Sequence, residues 1–113
     1  MAKVEISESL YEEIRKKFKH QSVEVLEHLK SLESSPNKGK ILGTVGGVAI
    51  KELKYEGFRF YFIADGFVLH CYDQKKLIDL LLRFVRMSDK THQQQTINEI
   101  KQVLRTIGAG GFL

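Results

Sequence analysis

The chain has 113 residues, of which 42% are hydrophobic and 28% charged, so it is long enough for one folded domain, 1–113, and too ordinary in composition for a disordered protein. Its formal net charge is +4, and Lys and Arg outnumber Asp and Glu only after residue 36, which is compatible with a polyanionic partner or with a solvated basic surface. No apolar run approaches the ~18 to 20 residues of a membrane span, and the N-terminus lacks the apolar segment of a signal peptide. We therefore expect a cytoplasmic protein that has no contact with a membrane.

The few residues that could bind metal are scattered. Cys71 is the only cysteine, which excludes an internal disulfide and any CxxC motif, and its apolar surroundings predict a small core residue. The four histidines are dispersed, and the sequence contains no HExxH motif and no acidic cluster. We expect no metal and no other cofactor.

The first third of the chain predicts a strand and a helix. Residues 3–7, "KVEIS", alternate in polarity as a short strand does. Ser9 and Glu12 have the spacing of a capping box, which indicates that a helix begins there. Its apolar residues recur at helical spacing and are Leu10, Ile14 and Phe18.

A second helix is expected to begin at Ser22. Its apolar face would comprise Val23, Leu26, Leu29 and Leu32. The helix should end in "SSPNKG", because Ser35 precedes a proline and is disfavoured in the α conformation. Two helices joined this closely are predicted to form an antiparallel hairpin.

The glycine-bearing stretch "GKILGTVGG" follows. Its glycines suggest a phosphate-binding loop, but it lacks the GK[ST] sequence and the order strand, loop, helix. We therefore interpret it as a flexible connector to the sheet.

Three antiparallel strands are predicted next: "AIKELKY", "FRFYFIA" and "FVLHCY". The dipeptides Glu56-Gly57 and Asp65-Gly66 separate them and are typical of two-residue hairpin turns, which determine the register. The predicted facing pairs are Lys54 with Arg59, Glu52 with Tyr61, Tyr61 with His70, and Arg59 with Tyr72.

This register divides the side chains between two faces. One face is expected to be a core covered by helices, and it comprises Tyr55, Leu53, Phe58, Phe60, Phe62, Phe67, Leu69 and Cys71. The other face is polar, and it comprises Glu52, Lys54, Arg59, Tyr61, His70 and Tyr72. A solvated face is common in antiparallel sheets. An anion-binding face is the alternative, because Lys54 and Arg59 oppose each other and like charges in this position are unfavourable unless an anion lies between them.

The apolar run "LIDLLLRFVRM" is predicted to be a long strand. If Leu80, Leu82 and Phe84 point to the core, Arg83 joins the polar face of the sheet. This strand would complete the antiparallel sheet.

A C-terminal helix is expected after it, because Thr91 and Gln94 form a second capping box. Its apolar residues are Ile97, Ile100, Val103, Leu104 and Ile107. The N–H groups of its first turn, together with Lys90 and His92, are a candidate phosphate site, and a solvated helix start is the alternative.

Three stretches, "SSPNKGKIL", "IKELKYEGFRFYFIADG" and "LLRFVRMSDKTHQQQTINEIK", carry a family resemblance. In this order the chain resembles the RelE/ParE toxin superfamily, in particular its phage-type and archaeal RelE-like branch, over nearly its whole length. The resemblance implies an α+β fold in which an N-terminal strand and a helix hairpin pack on an antiparallel sheet, followed by a C-terminal helix. The segment "FVLHCYDQKK" departs from the family pattern as an inserted strand.

The resemblance also implies a function. Proteins of this family are metal-independent RNA-cleaving toxins that act on ribosome-bound mRNA and are neutralised by an acidic antitoxin. Lys54 and Arg59 match the basic positions of the family's hairpin, and Arg86, Lys90 and His92 fall where the family keeps late basic or histidine residues. An antitoxin segment is expected in an apolar groove between the helix hairpin and the sheet, and on the basic face.

A mechanism follows as a hypothesis. Glu52 or His70 would activate a ribose 2′-OH, and His92 would protonate the leaving oxygen. Lys54 and Arg59 would neutralise the charge that develops on phosphorus. RNA would be bound by Tyr61 and Tyr72, which can stack on bases, and by Arg83, Arg86 and Lys90.

Two other functions remain open. The chain could be a ParE-like inhibitor of a protein such as gyrase, or a catalytically inactive member of the family. It could also be an RNA- or protein-binding module that uses the same face without cleavage. Met87 favours these alternatives, because it interrupts the late Lys/Arg run that is common in the phage-type branch.

Overall fold

Five strands and four α-helices make up the fold in the computed structural model, which describes residues 3–35 and 37–107. The strands are β1 (Lys3–Ile6), β2 (Lys40–Val45), β3 (Val48–Tyr55), β4 (Phe58–Asp65) and β5 (Val68–Tyr72). The helices are α1 (Glu8–Phe18), α2 (Ser22–Lys30), α3 (Gln74–Met87) and α4 (Gln93–Thr106). The α+β class expected from the sequence is confirmed.

The strands form one sheet in the order β1-β5-β4-β3-β2. Strand β1 runs parallel to β5, and every other neighbouring pair is antiparallel. The first predicted strand is therefore real, and it lies at the edge of the sheet beside the strand that we interpreted as an insertion. No helix among the described residues is long and apolar enough to cross a membrane.

The predicted register is right for one hairpin and shifted in the other. Strands β3 and β4 pair as expected, with Lys54 opposite Arg59 and Glu52 opposite Tyr61. Between β4 and β5, Asp65 pairs with Val68, so each facing pair moves by two residues relative to the prediction. Tyr61 faces Tyr72 and Ile63 faces His70. Because a shift of two residues preserves the alternation of side chains, the predicted faces survive.

The first face of the sheet packs against α1 and α2, as expected, and the residues buried between them form the first core. Its buried residues are Val4, Leu10, Ile14, Val25, Leu29, Leu32, Leu53, Phe60, Phe62, Leu69 and Cys71. Burial raises the pKa of the Cys71 thiol well above its usual range. Phe67 is wrong as a core residue, because the register shift leaves it in the turn with 78% of its surface exposed. Val23 is also exposed, on the outer side of α2.

The opposite face of the sheet packs against α3 and α4, and the residues buried between them form the second core. Its buried residues are Leu42, Val45, Ile50, Tyr61, Ile63, Leu77, Ile78, Leu81, Ile100, Val103, Leu104 and Ile107. The expectation of an open polar face is therefore wrong for the middle of the sheet. Strand β4 shows the reason, since Phe60 and Phe62 face one core while Tyr61 and Ile63 face the other.

The predicted last strand is the helix α3. The Asp73 side chain caps it by accepting a hydrogen bond from the backbone N–H of Lys76 at 2.8 Å. Leu77, Ile78 and Leu81 form its buried side, while Leu82 is exposed. A nearly continuous apolar run does not distinguish a buried strand from a helix by periodicity, and here its length and cap agree with a helix. Arg83 is therefore on a helix and not on the sheet.

The predicted flexible connector is the edge strand β2. It pairs with β3, with a register shift between Ile41 and Gly43. Gly43 has a φ of 154°, and a Cβ atom at this position would lie 3.2 Å from Val103 Cγ2 of α4. The glycine therefore allows α4 to pack closely against the bulged strand.

Two predicted helix starts are displaced. Helix α1 is capped by Ser7, whose Oγ accepts a hydrogen bond from the Leu10 N–H at 3.3 Å, and not by Ser9. Helix α4 begins at Gln93 after His92, so the Thr91 capping box is wrong. The carboxylate of Asp89 accepts the backbone N–H of His92 at 2.9 Å instead. The helix predicted at Ser22 begins there.

Two phenylalanines of the predicted core should differ in their effect on stability. We expect Phe60→Ala to lower the free energy of unfolding by about 3 to 5 kcal/mol, because it opens a cavity in the first core. Phe67→Ala should change it by less than about 0.5 kcal/mol, because this side chain is exposed. Urea denaturation followed by circular dichroism measures both values, and similar losses in the two variants would contradict the observed register.

Candidate functional site

Arg59 lies near the start of β4, where the second core reaches the end of the sheet. Its side chain is 44% exposed, and its NH1 atom lies 3.9 Å from Oε2 of Glu52. NH1 also donates a hydrogen bond to the carbonyl oxygen of Ile107 at 3.4 Å, at the C-terminal end of α4. A carboxylate and the negative end of a helix therefore hold the guanidinium in place.

Glu52 lies on the neighbouring strand β3, beside the guanidinium of Arg59, and is only 5% exposed. A buried carboxylate is costly unless a cation accompanies it, and Arg59 is that cation. Because so little of Glu52 is accessible, it does not fit the predicted role of general base. It fits instead the role of a residue that orients Arg59.

Tyr61 is fully buried, on the strand position two residues beyond Arg59. Its hydroxyl lies beside the side chains of Glu52 and Arg59 and interacts with both, although no well-formed hydrogen bond joins it to any of residues 3–35 and 37–107. Burial and then the charge of Glu52 raise the pKa of Tyr61, while Arg59 opposes them. The predicted stacking of Tyr61 on a base is wrong, because the helices of the second core cover the ring.

Lys54 lies directly opposite Arg59 on β3, and its side chain is exposed. The carboxylate of Glu52 on the same strand is close to Arg59 and compensates the two like charges. The opposition of Lys54 and Arg59 therefore has an explanation within the protein. An external anion is not needed to account for it.

An open cleft of about 500 Å³ lies in front of Arg59. Helix α1, the turn between β3 and β4, and the first turn of α3 form its walls. The lining residues are Glu13, Gly57, Phe58, Arg59, Asp73, Gln74 and Lys75. The cleft thus combines two cations with two carboxyl groups that come from distant parts of the chain.

Glu13 is the half-buried carboxyl group of this cleft. Burial raises its pKa most, the neighbouring Asp73 raises it further, and Lys17 opposes them. Its sequence position gave no sign of this, since Glu13 is one of several acidic residues on an amphipathic helix. Asp73 and Lys75 were missed because α3 was interpreted as a strand.

His70 is on the same face of the sheet as Arg59, but it lies on β5 and farther along the strands. It is opposite Ile63, which is four residues beyond Arg59 on β4, a separation of about 13 Å along a strand. Its Nδ1 atom lies 3.7 Å from Glu5, and its ring stacks on that of half-buried Tyr72. His70 and Tyr72 therefore belong to a separate small crevice, of about 90 Å³.

The late basic residues lie on α3 and in the loop before α4. Arg83 pairs with Asp79 at 3.7 Å, and Arg86 is exposed in the last turn of α3. Lys90 is exposed, and Nδ1 of His92 lies 2.8 Å from the Asp89 carboxylate. Helix α4 separates this loop from the Ile107 carbonyl, which Arg59 contacts at the opposite end of the helix.

A distance follows from the length of α4. The helix has 14 residues, which corresponds to about 21 Å between His92 at its start and the carbonyl that Arg59 contacts. The predicted acid, His92, is therefore far from the predicted phosphate-binding residue. The ten predicted site residues do not form one cluster.

Part of the expected groove between the first two helices and the sheet is present. The side chains of the first core, among them Leu10, Ile14 and Leu29, fill the middle of that space. At its edge, an open cleft of about 390 Å³ lies between β1 and the helices α1 and α2, and its lining residues are Lys3, Val4, Glu5, Ile6, Tyr11, Leu26 and Lys30.

No family model, no curated protein and no solved structure matches this chain. The similarity to RelE-like toxins consequently stays a prediction from the sequence motifs. Among the described residues, no group of three or more His, Cys, Asp or Glu side chains is arranged to hold a metal ion.

Removal of Arg59 should destabilise the protein. We expect Arg59→Ala to cost about 1 to 2 kcal/mol, less than the loss of a partner in a fully buried pair, because the guanidinium is half-exposed. Glu52→Gln in the same background should restore part of that loss by removing the unpaired charge. Urea unfolding measures both, with Lys54→Ala as a surface control, and a loss in Lys54→Ala as large as in Arg59→Ala would contradict the pairing.

Removal of the Tyr61 hydroxyl should not harm the fold. Because this buried group makes no well-formed hydrogen bond, we expect Tyr61→Phe to leave the melting temperature unchanged or to raise it slightly. Thermal denaturation measures the change. A drop of several degrees would show that the hydroxyl has a partner in solution.

Proposed function

We propose that the chain is a metal-independent endoribonuclease of the RelE type, a toxin that cleaves mRNA on translating ribosomes in the cytoplasm. One observation carries this proposal. Arg59, whose half-exposed guanidinium lies 3.9 Å from buried Glu52, lines a cleft that Lys75 also lines. An oriented, half-exposed guanidinium in a cleft is suited to bind one phosphate of an RNA strand.

Arg59 can keep its internal contacts while it binds a phosphate. A guanidinium carries five N–H donors, so NH1 can remain on Glu52 and on the Ile107 carbonyl while another nitrogen donates to a phosphate oxygen. Lys75 and the exposed Lys54 add positive charge at the same end of the sheet. These charges would stabilise the phosphorane that forms when a 2′-OH attacks the phosphorus.

The expected protein partner is an acidic antitoxin. We propose that an apolar part of it enters the cleft between β1 and the first two helices, and that its carboxylates contact the surface around Lys54 and Arg59. Binding there would neutralise the toxin by occupying the phosphate-binding residue.

A non-catalytic function is the second candidate, either ParE-like or as a binding module. The observation in its favour is the distance of His70 and His92 from Arg59, about 13 and 21 Å by strand and helix geometry. In this case the basic end of the sheet binds a polyanion or an acidic protein without chemistry. Translation arrest with unchanged DNA supercoiling would favour the nuclease over a gyrase inhibitor.

The cleavage reaction should need no metal. We expect purified protein to cleave mRNA on translating ribosomes in the presence of EDTA and to leave a 2′,3′-cyclic phosphate. A message with 2′-deoxyribose at the scissile position should bind and remain intact. Arg59→Ala should lower kcat by about 10²- to 10³-fold, because the guanidinium matters most as charge develops on phosphorus.

Arg15→Ala is the matched control, since Arg15 is an exposed arginine that pairs with Glu12 on α1. Its turnover should equal that of the unmodified protein. Cleavage of the deoxy message, or activity that EDTA abolishes and magnesium restores, would refute this mechanism. No cleavage on translating ribosomes would favour the non-catalytic candidate.

A further inference from the structure

The proposed reaction requires proton transfer next to Arg59, and the residues first assigned to it are misplaced. Glu52 is buried, and His70 and His92 lie about 13 and 21 Å from Arg59 by strand and helix geometry. The described residues that line the cleft include no histidine. Since the ammonium group of Lys75 can donate but not accept a proton, a proton acceptor in the cleft must come from its carboxyl groups.

Glu13 and Asp73 are those groups, and different elements position them. Glu13 lies on α1, which packs on the first core through Leu10 and Ile14. Asp73 caps α3, where the N–H of Lys76 holds its Oδ1 atom at 2.8 Å. The helix cap restricts Asp73 to one orientation at the wall of the cleft.

The two carboxyl groups differ in their surroundings. Burial and the adjacent Asp73 raise the pKa of Glu13, and Lys17, one turn along α1, opposes them. Arg59 and Lys75 face the pair from β4 and α3. A raised pKa keeps a carboxyl group protonated at higher pH, which is what a general acid requires.

We propose that Glu13 is the general acid of this cleft and that Asp73 is the general base, an assignment that rests on the proposed ribonuclease function. Arg59 lines the same cleft and binds the scissile phosphate beside this pair of carboxyl groups.

These two groups account for both proton transfers of the cleavage reaction. The ribose O2′ attacks phosphorus and loses its proton to the Asp73 carboxylate. As the bond from O2′ to phosphorus forms, the bond from phosphorus to O5′ breaks, and O5′ takes the proton of the Glu13 carboxyl. The products are a 2′,3′-cyclic phosphate and a 5′-hydroxyl, and Asp73 returns a proton to its neighbour Glu13.

The decisive comparison is Glu13→Gln against Glu12→Gln. Glu12 is the adjacent residue on α1, is exposed, and pairs with Arg15 at 3.8 Å. In single-turnover cleavage of mRNA on translating ribosomes, Glu13→Gln should be about 10²- to 10⁴-fold slower, the usual contribution of general acid–base catalysis. Glu12→Gln should match the unmodified protein, and the dissociation constant for a 2′-deoxy message should stay within about twofold in both variants.

The pH profile separates catalysis from a structural role. With the unmodified protein, the rate should fall as pH rises through the pKa of Glu13, because the acid loses its proton. Glu13→Gln should lack this alkaline limb. Glu13→Asp should regain part of the rate together with the limb, since it restores a carboxyl group, whereas a residue needed only for folding would leave the profile unchanged.

The outcomes distinguish the two proposals. If the unmodified protein cleaves and Glu13→Gln cleaves equally fast, or keeps the alkaline limb, the assignment of Glu13 is overturned while the ribonuclease function stands. If the unmodified protein cleaves nothing on translating ribosomes, the ribonuclease function fails and the assignment fails with it. Equal losses in Glu13→Gln and Glu12→Gln would also overturn the assignment.

Discussion

The ion pair between Glu52 and Arg59 is the constraint on which the end of the sheet beside the cleft depends. Glu52 is buried at the border of the second core, where an unpaired carboxylate would be strongly unfavourable. Arg59 must therefore remain beside it, and the carbonyl of Ile107 adds a second acceptor. This arrangement couples the strands β3 and β4 to the end of α4. The position of the guanidinium is thus determined by contacts within the fold, and Arg59 is also one of the residues that line the cleft.

The covering of both sheet faces explains why the cleft lies where it does. Phe60 and Phe62 occupy one core and Tyr61 and Ile63 the other, so the middle of β4 offers no accessible polar surface. The beginning of α3, the turn between β3 and β4, and α1 meet at one margin of the sheet and form the cleft there. Residues of these elements contribute the polar groups that line it.

Much of the architecture could be predicted from the residues, whereas the site could be predicted only in part. The Glu56-Gly57 turn gave the correct pairing of Lys54 with Arg59, and Arg59 is central to the cleft. The predicted acid and bases do not lie together at Arg59, because a shared face does not imply proximity along a strand or at the same end of a helix. Glu13 could not be found, since nothing local distinguishes it from the other exposed glutamates of α1.

The sequence by itself determined the elements that depend on local signals. These are the strand β1, the hairpin of β3 and β4, the first core and the amphipathic helix α4, because turn dipeptides and the spacing of apolar residues act over a few residues. Only the tertiary structure decided that the apolar run after Asp73 is a helix, since its nearly continuous hydrophobicity suits a strand or a helix until it packs against the sheet. That choice covered the second face and brought Asp73 to Glu13 across sixty residues of chain. Their meeting depends on long-range packing, which no local pattern encodes.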